Sequence, residues 1–268
     1  MTASAAGPLV PGSAVVTGGG SGLGRAIAEA LAAAGAPVAV VDLLPEGGRE
    51  TAARIAAAGG RSVYLEADVS RWEDVDRAVG EAVRALGPLG ILVNAAGVLD
   101  GYEPADRMRP ALWERVLAID LTGTFWGCRR ALAELLPAGR GRIVNIASVA
   151  GLVGSGGGPA YTAAKHGVVG LTRQLAIAYA GRGVTVNAVC PGAIQTGLRA
   201  NSARILGGDA PPMTGGVGAS DAAVRAVTPA GRRGTAAEVA AAALFLASEA
   251  AAYVTGHALV VDGGWTAA

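Results

Sequence analysis

The chain has 268 residues, 51% of them hydrophobic and 16% charged, with a formal net charge of +1. This is enough apolar material for a sizeable core, and it excludes a disordered chain. The near-neutral balance gives no electrostatic reason to expect nucleic acid or an anionic membrane as partner, and no run reaches the roughly 20 apolar residues of a membrane span.

The N-terminal stretch MTASAAGPLVPG has no basic region and no long apolar run, so no leader is expected. The first strand is expected at Ser13–Thr17, followed by a helix over Gly22–Ala34 and a strand at Pro37–Asp42. A helix at Glu46–Ala58, a strand at Ser62–Glu66, a helix at Arg71–Leu86 and a short strand at Ile91–Asn94 come next. One long helix is expected from Pro110 to Leu136, then a strand at Arg142–Ala147, a helix at Pro159–Ala180 and a strand at Val184–Val189. The last pair is a helix at Ala236–Ser248 and a strand at Ala258–Val261. Strands that read as continuous apolar runs are buried on both faces, as in parallel sheets. Strict alternation over the whole length predicts an α/β fold. It would be one Rossmann-type, doubly wound parallel sheet of about seven strands, a single domain over 1–268. The long irregular stretch 193–233 is expected to be a substrate-binding loop or lid within it.

Glycine clusters directly after the first strand, in VTGGGSGLGRAIAEA. Such a loop lets the backbone turn tightly and approach a pyrophosphate, while the next helix offers its N-terminal N–H groups. Gly18, Ser21, Gly22, Leu23 and Gly24 are the expected cofactor residues there. The spacing is not G-x-G-x-x-G; it is Thr17-Gly18, three residues, then Gly22, Leu23, Gly24. Asp42 ends the second strand, roughly 20 residues beyond the loop, where a carboxylate accepts bonds from the adenine ribose and repels a 2′-phosphate. Ser21 is not basic and Leu43 follows Asp42, so NAD is expected over NADP.

Lys165 is the only lysine in the chain; the other 21 of the 22 Lys and Arg residues are arginine. It stands four residues after Tyr161, and residues so spaced share a helix face. A free phenol has a pKa near 10, too high for a base at neutral pH. A neighbouring ammonium favours the phenolate, and a compact cation also donates to ribose hydroxyls. Ser148, just after the strand RIVNIA, could hold a carbonyl oxygen while Tyr161 donates its proton. Cys128 and Cys190 are isolated, so neither a disulfide nor a metal site is expected, and a reducing cytoplasm is the expected setting. His166 projects off the catalytic face, His257 has no partner spacing, and the four tryptophans read as core or interface anchors.

With these residues assembled, the chain resembles the compact form of the short-chain dehydrogenase/reductase family over nearly its whole length. The resemblance runs through Thr17-Gly18-x-x-x-Gly22-x-Gly24, Asp68-Val69, Asn94-Ala95-Ala96-Gly97, Ser148, Tyr161-x-x-x-Lys165, Pro191-Gly192 and Val261-Asp262-Gly263-Gly264. It implies Tyr161 as general acid/base, Lys165 as the cation that lowers its pKa and binds the nicotinamide ribose, and Ser148 on the substrate oxygen. It further implies Asp68 and Val69 at the adenine and Asn94, Ala95, Ala96 and Gly97 along the cofactor floor. Pro191, Gly192, Ile194 and Thr196 are implied at the nicotinamide end. Many members carry Asn as a fourth catalytic residue, whose backbone carbonyl holds a water on the lysine; here Asp120 stands there, with a carboxylate that could instead pair with Lys165. The resemblance also implies a homotetramer.

The expected activity is NAD-dependent interconversion of a secondary alcohol and its ketone. A 3-oxoacyl-thioester reductase and a catalytically inactive NAD-binding sensor are the alternatives. The expected pocket residues Val98, Leu99, Val149, Ala150, Leu152, Val153, Gly192, Ala193 and Leu198 are small or apolar, so a neutral, fairly hydrophobic small molecule is expected.

Overall fold

A computed structural model describes residues 7–267, so part of the N-terminal stretch read as lacking a leader lies outside it. Seven strands form one parallel sheet: β1 (Ser13–Thr17), β2 (Val38–Asp42), β3 (Ser62–Glu66), β4 (Leu89–Asn94), β5 (Gly141–Ile146), β6 (Val184–Pro191) and β7 (Ala258–Val261). Their order across the sheet is β3-β2-β1-β4-β5-β6-β7, every pair parallel. The central strands β1, β4, β5 and β6 are buried along their full length, which explains why they read as unbroken apolar runs. The order reverses between β1 and β4, and a crevice opens there at the carboxyl ends of the strands.

Nine helices flank the sheet among the described residues: α1 (Gly22–Ala33), α2 (Pro45–Ala57), α3 (Trp72–Leu86), α4 (Pro110–Leu117), α5 (Gly123–Ala138), α6 (Pro159–Tyr179), α7 (Leu198–Leu206), α8 (Asp221–Val227) and α9 (Ala236–Leu246). The longer ones each pack one stripe against the core. On α3 the stripe is Val75, Ala78, Val79, Ala82 and Leu86; on α6 it is Tyr161, Ala164, Lys165, Val168, Val169, Thr172, Leu175 and Ala176. Tyr161 and Lys165 therefore lie on the buried stripe, at positions where helical periodicity alone would put apolar residues.

Two expectations need correction. The single helix expected over 110–136 is α4 and α5 joined by a π-helical turn at Ala118–Thr122, in which the ladder widens around the buried Asp120. Such turns cluster at functional sites. The stretch 193–233, expected to be irregular, contains α7 and α8. α7 is held in place by Ser202, whose hydroxyl accepts from the Leu99 amide at 2.9 Å and donates to the Leu198 carbonyl. Of the tryptophans read as core or interface anchors, Trp126 packs against the core cluster and none is fully buried. The Trp72 and Trp126 rings meet at a tilt, 5.5 Å apart, with the Arg129 guanidinium over both; Trp113 is exposed, and Trp265 lines a pocket.

Candidate active site

The crevice holds two connected cavities. The first runs from Asp42 to Lys165 along the strand ends and has a volume of about 180 Å³. It is lined by Gly18, Ser21, Gly22, Leu23 and Gly24 from the glycine loop, by Asp42, Asp68 and Val69, and by Ala95, Ala96 and Gly97. Its inner end is closed by Asp120, Ser148, Tyr161, Lys165, Pro191, Gly192, Ile194, Thr196 and Leu198. The sequence reading thus assembled this groove almost entirely. Asn94 and Ala150 depart from it. Asn94 lies beneath the floor, where its amide donates to Asn145 at 2.9 Å, and Ala150 is fully buried behind Ser148.

The glycine loop is shaped by close backbone contact. Gly18 has φ +64, and a Cβ there would stand 2.7 Å from the Ala96 backbone, so loop and floor touch. The Thr17 hydroxyl fastens the same seam by accepting from the amides of Ala95 and Ala96 at 3.2 and 3.4 Å. α1 begins at Gly22 with no side-chain cap and no acid in its first turn. Its N–H groups and positive dipole end therefore face the groove without a resident anion, which fits a dinucleotide pyrophosphate. Asp42 is fixed by the Gly20 and Leu44 amides at 2.8 and 2.9 Å, and each of its oxygens keeps a lone pair for a ribose hydroxyl. Beside it Glu50 pairs with Arg25 at 2.7 Å and with Arg54 at 3.5 Å, and Arg204 reaches Glu46 at 3.9 Å, while Asp42 itself forms no ion pair among the described residues.

The chemistry gathers at the inner end. The Lys165 ammonium donates to the Ile146 carbonyl at 3.1 Å and meets the Asp120 carboxylate, also at 3.1 Å. It lies 5.4 Å from the centre of the Tyr161 ring. The other Asp120 oxygen accepts from the Val98 amide at 2.8 Å, and the Asp120 carbonyl is taken by the Thr124 hydroxyl. The side-chain pairing with Lys165 is thus what the structure shows at the fourth position. Burial works against the lysine's charge, but the adjacent carboxylate more than offsets it and holds the ammonium charged. Burial likewise pushes the Asp120 carboxyl up, against Lys165. Tyr161 is also raised: burial outweighs the lowering by Lys165, Asp120 adds to the rise, and the Ser148 hydroxyl opposes it. Ser148 caps the short turn that follows it, accepting from Ala150 at 3.1 Å, while its own proton remains free to donate into the cavity.

Asp100 was not foreseen. It is fully buried in the loop after β4, and its oxygens accept from the amides of Gly158, Tyr161 and Tyr102 at 3.1, 3.0 and 3.1 Å. α6 starts at Pro159 behind Gly158, which has no capping side chain, so Asp100 caps the helix from another part of the chain. The readable signal was a G-P helix start with no local cap.

The second cavity, of about 310 Å³, opens beyond Ser148 and Tyr161. Of the expected pocket residues, Leu99, Val149, Gly192, Ala193 and Leu198 line it; Val98 faces the groove, and Ala150, Leu152 and Val153 line neither cavity. From the 193–233 segment expected at the substrate come Gln195, Arg199, Gly218 and Arg233, and Tyr102, Gly156 and Trp265 line it unforeseen. Tyr102 has φ +62, which turns its ring inward over Gly216, and its hydroxyl donates to the Gly156 carbonyl at 2.9 Å. His166 and His257 line neither cavity, and burial pushes the Cys128 and Cys190 thiols up to about 12 and about 11, which leaves both inert. Among the described residues no His, Cys, Asp and Glu cluster could hold a metal, and no helix is long and apolar enough to cross a membrane.

Comparison with known proteins agrees with this geometry. A family described as enoyl-(acyl carrier protein) reductase matches residues 18–266. The chain is 43% identical to 2-(S)-hydroxypropyl-CoM dehydrogenase 3 of Xanthobacter autotrophicus, over 94% of this chain and 95% of that protein. The crystal structure of levodione reductase superposes with a TM-score of 0.87 at 37% identity, covering 97% of this chain and 99% of that one. A putative NAD(P)-dependent gluconate 5-dehydrogenase from Beutenbergia cavernae, with NADP bound at low occupancy, superposes with a TM-score of 0.84 at 40% identity, covering 97% and 99%. A nicotinamide-binding crevice at the switch point, a buried Tyr161–Lys165 stripe and these relatives agree: the chain belongs to the short-chain dehydrogenase/reductase family of oxidoreductases.

Proposed function

We propose that the protein interconverts a secondary alcohol and its ketone with NAD as hydride carrier. The observation that carries this reading is the convergence of Ser148, Tyr161 and Lys165 at the seam between a dinucleotide groove and a second cavity. The glycine loop, the uncapped start of α1, and Asp42 would hold the pyrophosphate and the adenine ribose; Lys165 would donate to the nicotinamide ribose. The bound nicotinamide supplies the hydride acceptor at the carbinol carbon. Ser148 donates to the substrate oxygen and orients it. In oxidation the Tyr161 phenolate takes the hydroxyl proton as the carbon loses its hydride; in reduction the phenol returns it. The charged Lys165, held by Asp120, works against the burial that raises Tyr161.

The preference for NAD over NADP rests on Asp42, whose carboxylate has no ion-pair partner among the described residues and would repel a 2′-phosphate. The relatives' names place a hydroxypropyl alcohol and a dione among substrates of this type of site, in line with alcohol–ketone chemistry. Exposed Phe125, Ile177, Tyr253 and Val260 supply apolar surface for the homotetramer that the family resemblance implies. The test is NADH formation across a panel of secondary alcohols, each run with NAD and with NADP. Turnover with NAD that vanishes in Tyr161→Phe, with NAD still bound, supports the reading. Turnover with NADP alone refutes the role of Asp42. Intact turnover in Tyr161→Phe refutes the acid/base.

A further inference from the structure

The second cavity differs in one respect from the apolar pocket expected from the sequence: its wall carries two arginines, Arg199 and Arg233, and no carboxylate. Both belong to the 193–233 segment. Arg199 donates to the carbonyls of Met213 and Gly215 at 2.6 and 2.9 Å, and no carboxylate lies within ion-pair distance of it among the described residues. Carbonyl dipoles hold this guanidinium in place without cancelling its charge. Arg233 pairs through Nε with Asp221 at 2.7 Å and donates through one terminal nitrogen to Gly218, leaving the other without a partner among the described residues. Gly218 stands between the two. A Cβ there would sit 3.0 Å from the Arg199 terminal nitrogen, so both guanidiniums approach the same residue from the two sides.

Two rigidly held guanidiniums in a partly enclosed wall form a fork that suits a planar or tetrahedral oxyanion. Only Asp221 offsets their two charges, so the pair leaves a net positive wall that an anion would complement. The Ser148 and Tyr161 end of the same cavity is lined by uncharged side chains, with Leu99, Val149 and Leu198 around it.

We propose that the substrate alcohol carries an oxyanion, a carboxylate or a sulfonate, at the end remote from its carbinol, and that Arg199 and Arg233 bind it. This deepens the alcohol–ketone reading and rests on it. It replaces the expectation of a neutral substrate, which assumed a pocket wall without cations.

The test uses secondary alcohols with spacers of increasing length between the carbinol and a carboxylate or sulfonate. Each is paired with its own primary amide or sulfonamide and assayed with the NAD-loaded protein. The expected result is a kcat/KM at least roughly tenfold higher for an anion than for its amide, about 1.4 kcal/mol, expressed mainly in KM. The preference for carboxylates over sulfonates, or the reverse, identifies the anion. The anion-to-amide ratio falls toward one in Arg199→Gln and in Arg233→Gln and is partly kept in Arg199→Lys. Because the ratio is taken within one variant, loop damage that weakens both ligands cancels. A second readout needs no turnover: calorimetric binding of cyclohexanecarboxylate and of cyclohexanecarboxamide to the protein loaded with NADH. Equal binding of the two, or a ratio unchanged in the double Gln variant, overturns the proposal. Anion-selective binding with no turnover of any alcohol leaves the anion site standing and removes the reading of the reaction.

Discussion

Replacing Asp120 by Asn isolates the charge of the buried pair, because the amide keeps the size of the side chain and can still accept from the Val98 amide. What is lost is the counter-charge 3.1 Å from Lys165, at a place where both side chains are almost sealed from water. Breaking a buried pair from one side costs about 3–5 kcal/mol, since the remaining charge is stranded. For a chain of this size each kcal/mol moves the melting temperature by about 2–4 °C, so a drop of roughly 6–20 °C is expected. The pH profile should move as well. Asp120 is among the groups that raise Tyr161, so removing its charge lets the phenolate form at lower pH, and the acid limb of alcohol oxidation shifts downward. Lys165 loses the carboxylate that offsets its burial, so it gives up its proton more easily and the alkaline limb also moves down. The assay is kcat/KM for alcohol oxidation across the pH range, with a thermal melt at neutral pH. A superimposable profile with less than about 1 kcal/mol of destabilisation would show that the pair is not ionised in the resting protein.

Three further outcomes follow. Asp100→Ala strands two amides at the start of α6 and a third, that of Tyr102, in the loop after β4, at a cost of about 2–4 kcal/mol, with kcat falling while NAD affinity holds. Urea melts and kcat show it, and an unchanged kcat would deny Asp100 any hold on Tyr161. Gly127→Ala would drive a methyl carbon into the Asn94 amide under the cofactor floor, costing about 1–3 kcal/mol; an undiminished melting temperature would contradict the packing. Asp68 is buried enough to resist ionisation, but its bonds from Ser70 and Arg115 prevail and hold its pKa below the usual carboxylate value. A depressed acid contributes stability above its unfolded pKa near 3.9 and loses it as pH falls through the folded value. Arg115→Ala should thus destabilise at neutral pH and converge with the parent in acid, and a gap that persists below about pH 2 would contradict this assignment.

Much of this site was readable because it is local. Gly18, Gly22 and Gly24 sit in one turn, Tyr161 and Lys165 on one helix face, and the buried strands announce themselves by apolar composition. The unread parts join distant segments. Asp100 caps a helix some sixty residues downstream, a partnership no local window contains. Arg199 and Arg233 reach one cavity only because α7 and α8 fold the 193–233 segment over it, and Gly- and Ala-rich sequence conceals helices that tertiary contacts stabilise. The π-helical turn at Asp120 was hidden for a related reason, since a widened turn leaves the apolar periodicity on either side almost intact.

Helix α7 has a kinetic corollary. Leu198, Asn201 and Ile205 recur at helical spacing along the dinucleotide groove, Asn201 donates to Ser21 in the glycine loop at 2.8 Å, and Arg199 on the adjoining face lines the alcohol cavity. One short helix is therefore a wall of both compartments, and on the proposed reading its seating on the coenzyme would also set the position of the guanidinium that meets the substrate's anion. Such a shared wall favours a compulsory order, with coenzyme first on and last off. It also makes the two Michaelis constants interdependent, so that substitutions along α7 chosen to retune alcohol selectivity will carry a coenzyme penalty with them.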